Sequence, residues 1–218
     1  MDILKAFVSW SGGKESSLAC YRAMTKGVQI VCLVNMLSED GSYSRSHGIS
    51  SELLRIQAEA IGIPIVQRKT TWQIYEEEFK DAIMQLKKED INAGIFGDID
   101  LQEHRDWVER VCKECGIKPL LPLWNEDREK LLREFISSGF KAIVCSTNLE
   151  FLDKEWLGSE INNDFIIKLK QLGSVDICGE KGEYHTFVYD GPLFKMPLKF
   201  KVGEKILKDK RWFLELKT

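Results

Sequence analysis

Short apolar runs alternate with amphipathic stretches over the first two thirds of the chain, and this alternation narrows the fold more than any other feature. Residues 4–9, 29–36, 63–66, 93–96 and 142–145 read as strands. Between them, Trp72, Tyr75, Phe79, Ile83 and Leu86 recur every three or four positions and form one helical stripe. Leu53, Leu54, Gln57, Ala58 and Ile61 form another, ended by Gly62 and Pro64, and Trp107, Val108, Val111, Cys112 and Cys115 form a third that Gly116 closes. Helices striped in this way must cover a sheet face, and strand–helix repeats do so on a parallel sheet. The pattern predicts an α/β fold, a doubly wound parallel sheet over residues 1–124. After Pro119-Leu120-Leu121-Pro122 the pattern changes: a helix over 127–137, a strand, an acidic stretch across 149–172, then short antiparallel strands at 175–178, 186–189, 198–202 and 212–216. A smaller α+β domain over residues 125–218 is expected there.

Composition excludes several classes. A chain of 218 residues and 25.1 kDa removes roughly 26,000 Å² from water on folding, ample for a continuous core. No apolar run approaches the roughly 20 residues that span a bilayer, so no membrane association is expected. The start MDILKAFVSWSGG carries Asp2 and Lys5 and does not read as a secretory signal. Six scattered cysteines then point to a reduced compartment, and the expected location is the cytoplasm. Thirty-one Lys and Arg against 34 Asp and Glu give a net charge of −3, which supplies no global pull toward nucleic acid. Residues 195–218 hold eight bases against three acids, either a solvated strand pair or a docking face for an acidic macromolecule.

Three clusters carry chemistry. The first is Ser9-Trp10-Ser11-Gly12-Gly13-Lys14-Glu15-Ser16-Ser17, at the junction of the first strand and the first helix. Paired glycines allow a tight turn and close approach, and the N–H groups of a helix start favour an anion, so phosphate is the natural guest. Ser11, Ser16 and Ser17 add hydroxyls and Lys14 a mobile cation; the spacing is not that of a Walker A loop. The second is Gly97-Asp98 followed by Glu103-His104-Arg105, on the same carboxyl edge of the sheet. Gly97 permits close approach, Asp98 could hold a metal or orient a hydroxyl, and His104 with Arg105 could meet phosphate or a carboxylate; the plainer reading is a helix cap and solvated first-turn residues. The third runs from Cys178 to Phe187. Its glycines could bring Glu180 and Glu183 to one site, where paired carboxylates bind magnesium or a cationic substrate, or take a proton from an ammonium nucleophile; the alternative is a polar hairpin loop. Cys112 and Cys115 make no tetrahedral zinc site alone and fall on an apolar stripe, so they read as core. Cys178, beside the glycine loop, is the one cysteine to watch.

The string SGGKES resembles the SGGKDS pyrophosphate loop of the ATP-pyrophosphatase superfamily (PP-loop, adenine nucleotide alpha hydrolase), with Glu15 where that pattern has Asp. The resemblance implies a Rossmann-like domain that binds ATP and cuts it between the alpha and beta phosphates. It assigns Ser9, Ser11, Gly12, Gly13, Lys14, Glu15, Ser16, Ser17 and Gly97 to the nucleotide, and Asn35 and Met36 to the adenine. The third cluster, with Pro122-Leu123-Trp124, Glu155-Trp156-Leu157-Gly158 and Ser42-Tyr43, is similar to the diphthine-ammonia ligase family over nearly the whole chain. Gly179, Glu180, Gly182, Glu183 and Tyr184 match that family's GE-x-GE-[FY] loop. Two strings depart from it: His185 stands where members tend to read Glu, and Ser42-Tyr43-Ser44-Arg45-Ser46-His47 where they tend to read SYMYHT.

That likeness implies an ATP-dependent amidoligase using ammonium, with a modified histidine of elongation factor 2 as the acceptor. In this scheme Lys14, Asp98, Glu180, Glu183 and His185 are catalytic, Glu15 and Asp98 help hold Mg2+, and His47, His104, Arg105 and Tyr184 meet the substrate. Two other readings stay open: a PP-loop ATP pyrophosphatase acting on another substrate such as tRNA, with Cys178 and the basic tail, and an adenine-nucleotide-binding module without turnover. Assembly into a homo-oligomer is also left open.

Overall fold

The first strand, β1 (Lys5–Ser9), alternates its side chains between two apolar environments. In this computed structural model, which describes residues 3–45 and 47–218, Ala6 and Val8 join one core and Phe7 joins another on the opposite face. A strand buried on both faces needs helices above and below it. β2 (Gln29–Leu37), β3 (Ile65–Lys69), β4 (Ala93–Ile95) and β5 (Lys118–Leu120) pair in parallel with it in the order β3-β2-β1-β4-β5. Helices α1 (Lys14–Thr25) and α2 (Ser51–Ile61) contribute to the core of Ala6 and Val8, while α3 (Tyr75–Lys87) and α4 (Gln102–Cys115) pack on Phe7. The winding direction reverses between β1 and β4, so the loops leaving these two strands face one crevice.

The remainder forms a second sheet. After α5 (Arg128–Ser137) come β6 (Lys141–Asn148), a 3-10 turn at Lys154–Trp156, α6 (Asn163–Leu172), β7 (Tyr184–Asp190), β8 (Lys201–Lys208) and β9 (Arg211–Lys217). Its strands are antiparallel in the order β7-β6-β9-β8. Phe187 and Val188 of β7 share a core with Leu18 and Ala19 of α1, so α1 is covered on both sides and even Lys14, Ser16 and Ser17 are buried. No helix among the described residues is long and apolar enough to cross a membrane.

Several elements differ from the sequence expectation for identifiable reasons. The parallel sheet ends in β5, a three-residue strand absent from the sequence expectation; Pro119 is tolerated because β5 is an edge. The run at 142–145 lies in β6 and pairs with β7 and β9, not with the parallel strands. Residues 175–178 form a turn, not a strand, because the Asp176 carboxylate accepts the N–H groups of Cys178 and Glu180 at 3.0 and 2.7 Å. β3 starts two residues later than expected and β8 three. Trp72 lies outside α3 and is exposed, whereas Gly62 and Gly116 take the left-handed cap positions at φ 82° and 65°. Met1, Asp2 and Ser46, the last within the Ser42–His47 string, lie outside the described residues.

β7 is an edge strand, and the outward backbone groups of Val188 are satisfied by the loop after β1 and by α2. Val188 N donates to Gly12 O at 3.0 Å, Gln57 Nε2 donates to Val188 O at 2.7 Å and to Gly12 O at 3.1 Å, and Gln57 Oε1 accepts from Trp10 Nε1 at 2.8 Å. Gln57 is completely buried. Gln57→Leu keeps the volume but strands the Trp10 N–H and the Val188 carbonyl, and should cost about 3 kcal/mol of stability in urea denaturation, since each orphaned buried group costs about 1–3 kcal/mol.

Candidate active site

Beyond Ser9 the chain turns through residues 10–13 into α1. Gly12 sits at φ 79°, and a Cβ there would lie 2.5 Å from Leu54 Cδ2 and 2.9 Å from Gln57 Oε1, so the bend is reserved for glycine. Gly13 is the N-cap of α1 and carries no side-chain cap; a Cβ on it would meet His47 Cε1 at 2.5 Å. Ser11 Oγ accepts from Gly13 N at 3.2 Å and lies 3.1 Å from Ser16 Oγ, which in turn reaches Gly13 O at 3.1 Å. Ser17 Oγ is buried with no hydrogen-bond partner among the described residues. A helix start ringed by hydroxyls, with a positive dipole end, is a receptor for an anion.

Lys14 is turned inward. Its Nζ donates to Cys178 O at 2.7 Å, pairs with Glu15 Oε1 at 2.5 Å and sits 4.5 Å above the Tyr184 ring; its backbone N–H donates to Thr186 Oγ1 at 3.0 Å. Burial works against the ammonium, but Glu15 and the other neighbours outweigh it and its pKa is raised, so Lys14 stays a cation. The Tyr184 hydroxyl donates to Ile177 O at 2.6 Å, and its ring forms the wall beneath that charge.

Across the crevice, Gly97 lets the turn after β4 touch the start of α1: a Cβ on it would lie 2.9 Å from the Glu15 carbonyl carbon and 3.0 Å from Ser16 N. Asp98 Oδ1 lies 3.0 Å from His104 Nδ1, and this hydrogen bond, opposed by partial burial, raises the His104 pKa. Glu180 completes the group. Burial first, then the negative charges of Glu15 and Asp98, push its carboxyl up to about 8, with Lys14 pulling the other way. Glu15, in the first turn of α1, pairs with the buried ammonium, and Glu180 feels the charges of Lys14, Glu15 and Asp98 across the crevice.

Other sequence candidates are placed differently. Glu183 does not face Glu180; its buried carboxylate accepts from Asp176 N at 3.2 Å and Lys181 N at 3.0 Å and shapes its own loop. Arg105 pairs with Glu109 at 2.6 Å and lies 5.0 Å from the Trp124 ring centre. Asn35 donates to Trp10 O at 2.7 Å and so braces the loop from β2, while Met36 O accepts from Arg45 N at 3.0 Å. His47 and His185 stack with centroids 4.3 Å apart, and His47 Nδ1 lies 3.2 Å from Thr186 O. All six cysteines are free and buried, with Cys112 and Cys115 in the core that packs on Phe7. Burial pushes the Cys178 thiol up, and its Sγ donates to Arg128 O at 3.1 Å.

Sequence reasoning passed over Gln57, Thr186 and Arg128. Gln57 gave one signal, an amide inside an otherwise apolar helical stripe. Arg128, which pairs with Asp100 and Asp176 at 2.6 Å each, gave none, because its partners are 28 and 48 positions away.

Comparison with known proteins adds a lineage to this geometry. The family described as diphthamide synthase N-terminal domain matches residues 4–119, and the diphthamide synthase C-terminal domain matches residues 127–218. A diphthine--ammonia ligase of Rattus norvegicus is 31% identical over 221 residues, covering 90% of this chain and 83% of that protein. The Homo sapiens protein of the same name is 32% identical over 209 residues, covering 85% and 78%. A solved chain from Methanocaldococcus jannaschii, described as a predicted subunit of tRNA methyltransferase, aligns at 15% identity with a TM-score of 0.48, covering 90% of this chain and 100% of that one.

The Asp98–His104 pair gives a direct titration. Because the folded pKa of His104 is raised, the stabilisation from the pair is present below the unfolded value near 6.5 and is lost as pH rises through the folded value. Asp98→Asn should bring the His104 pKa back toward 6.5 in a histidine NMR titration, with the His47 and His185 signals unmoved.

Proposed function

This chain belongs to the diphthamide synthase family, and on that premise we propose that it is an ATP-dependent carbon–nitrogen ligase that amidates a carboxylate with ammonium, releasing AMP and pyrophosphate. Diphthine is the acceptor the relatives' name points to, and the family likeness of the sequence puts it on elongation factor 2. Residues 1–124 serve the nucleotide and residues 125–218 the acceptor. The observation that carries the reading is the start of α1, preceded by two glycines and left without a side-chain cap, with the buried Lys14 paired to Glu15 and Gly97 of the loop after β4 packed against it.

The chemistry follows in two steps. An acceptor carboxylate oxygen attacks the alpha phosphorus, the bond to the bridging oxygen breaks, and pyrophosphate leaves. Gly12, Gly13, Ser11, Ser16 and Ser17 hold that leaving group, with Ser9 ending the strand that presents them, and Lys14 neutralises the charge growing on it; Asn35 and Met36 flank the adenine. Fixed donors aimed at developing charge are where most of the acceleration arises. Ammonia then attacks the acyl carbon and AMP departs. Ammonium must first lose a proton, and Glu180, held near neutrality in its affinity for protons, is the base suited to take it. Tyr184 and His185 close the C-terminal side and keep water from the acyl-adenylate, while Glu183 holds that loop in shape.

Magnesium fits this donor set. No three His, Cys, Asp or Glu side chains converge as a complete protein site among the described residues, but magnesium keeps its waters and takes one or two carboxylates plus phosphate oxygens. Asp98 and Glu15 would hold it, and it would supply neutralisation of phosphate charge.

Thiol chemistry on tRNA is disfavoured by Cys178, whose sulfur is buried and whose pKa is raised, the reverse of an activated thiolate.

Incubation with ATP, Mg2+, ammonium and diphthine-bearing elongation factor 2 should yield AMP and pyrophosphate in step with amide; ADP and phosphate would reject the scheme. Lys14→Met should lower kcat by about 100-fold while KM for ATP moves less than about threefold. The rate should rise with pH as Glu180 loses its proton near 8, and Glu180→Gln should abolish that limb of the profile.

A further inference from the structure

Arg211, at the start of β9, is half-buried and has no carboxylate partner among the described residues. Its guanidinium reaches only neutral acceptors: Gly182 O at 2.7 Å and Ser146 Oγ at 3.3 Å. Arg22 and Arg128 differ, since Arg22 pairs with Glu126 and Glu134, and Arg128 with Asp100 and Asp176. Arg45 and Arg68 also lack a carboxylate among the described residues, but they reach Thr70 O and Gln85 Oε1, and Arg45 lies over the Trp72 ring, whereas Arg211 stands by the nucleotide-loop side of β7. A guanidinium taken partly out of water without a counter-charge is costly, and burial lowers the Arg211 pKa accordingly. Three of its five donors remain uncommitted.

Its surroundings are cationic or neutral. His185 lies opposite Ser146 in the β6–β7 register, Ser146 Oγ accepts from Arg211, and the His47 ring stacks on His185. Burial, aided by Arg211 and Lys14, holds both imidazoles in their neutral form, His47 down to about 4. The nearest acid in sequence to His185, Glu183, is turned into its own loop. The patch also borders the nucleotide loop, since His47 packs on Gly13 and shares Thr186 with Lys14.

We propose that Arg211, His185 and His47 form an oxyanion subsite beside the nucleotide loop, built to take a carboxylate or a phosphate oxygen from a bound reactant. The two sources, an acceptor carboxylate and the leaving pyrophosphate, rest on the ligase reading; the subsite itself rests on the unpaired guanidinium. His185→Glu supplies the missing counter-charge from within the protein and closes the subsite without removing Arg211.

Calorimetric titration of the full chain with inorganic pyrophosphate and, separately, with acetate tests this without any turnover. Arg211→Gln and His185→Glu should each weaken the binding of one anion by about tenfold or more, with Arg211→Lys recovering part of it and Tm held near the parent value. Loss confined to pyrophosphate assigns the leaving group; loss confined to acetate assigns the acceptor. If Arg211→Gln does not fold, His185→Glu alone decides. Unchanged affinity for both anions in a folded variant, or a folded parent chain that binds neither, overturns the subsite. A chain that binds anions through Arg211 yet never forms AMP would instead overturn the ligase reading.

Discussion

The seam between the nucleotide loop and the edge of β7 governs the rest of the molecule. Gly12 O accepts from Val188 N and from Gln57, and Lys14 N donates to Thr186 Oγ1. An unpaired strand edge would otherwise present open donors and acceptors to other chains. Here those groups fix the second sheet to the loop, so the two halves of the sequence meet at the residues that would handle phosphate. Glycine at 12 and 13 is required by this seam as much as by a ligand, because a Cβ at either would strike Leu54, Gln57 or His47.

From that seam the electrostatics follow. Docking β7 buries Lys14 under Tyr184 and delivers the 176–183 loop to the crevice, which sets Glu180 beside Glu15 and Asp98. The arrangement divides labour by environment. Lys14 keeps its charge because Glu15 accompanies it into the interior, Glu180 holds its proton more tightly because burial, and then the charges of Glu15 and Asp98, penalise its carboxylate, and the Cys178 thiol is silenced by burial. Arg211 has only neutral acceptors and no carboxylate partner among the described residues.

Much of this is legible in the sequence. The 3.6-residue stripes and apolar runs specify a doubly wound sheet because each helix needs a face to cover, and the glycine-serine loop was visible because tight approach and phosphate recognition both demand those residue types. Gly97 was readable for the same reason. What the sequence hid depends on contacts remote in the chain or on local turns that residue type alone does not mark. β5 is too short to announce itself, and 175–178 looked like a strand because the Asp176 hydrogen bonds that curl it are invisible in composition. Glu180 and Glu183 are the same residue type three positions apart, yet one faces the crevice and the other folds into its own turn. Arg211 looked like one more base in a lysine-rich tail, and only the tertiary fold shows that it lacks an acid.

The central claim is that a carboxylate is activated at the alpha phosphorus of ATP. Labelling the acceptor carboxylate with oxygen-18 and following the label by mass spectrometry through one turnover tests it most directly. Attack on the alpha phosphorus, then expulsion of AMP by ammonia, leaves one labelled oxygen in AMP and none in pyrophosphate. Label appearing in inorganic phosphate, or AMP formed without label alongside amide, would contradict the account.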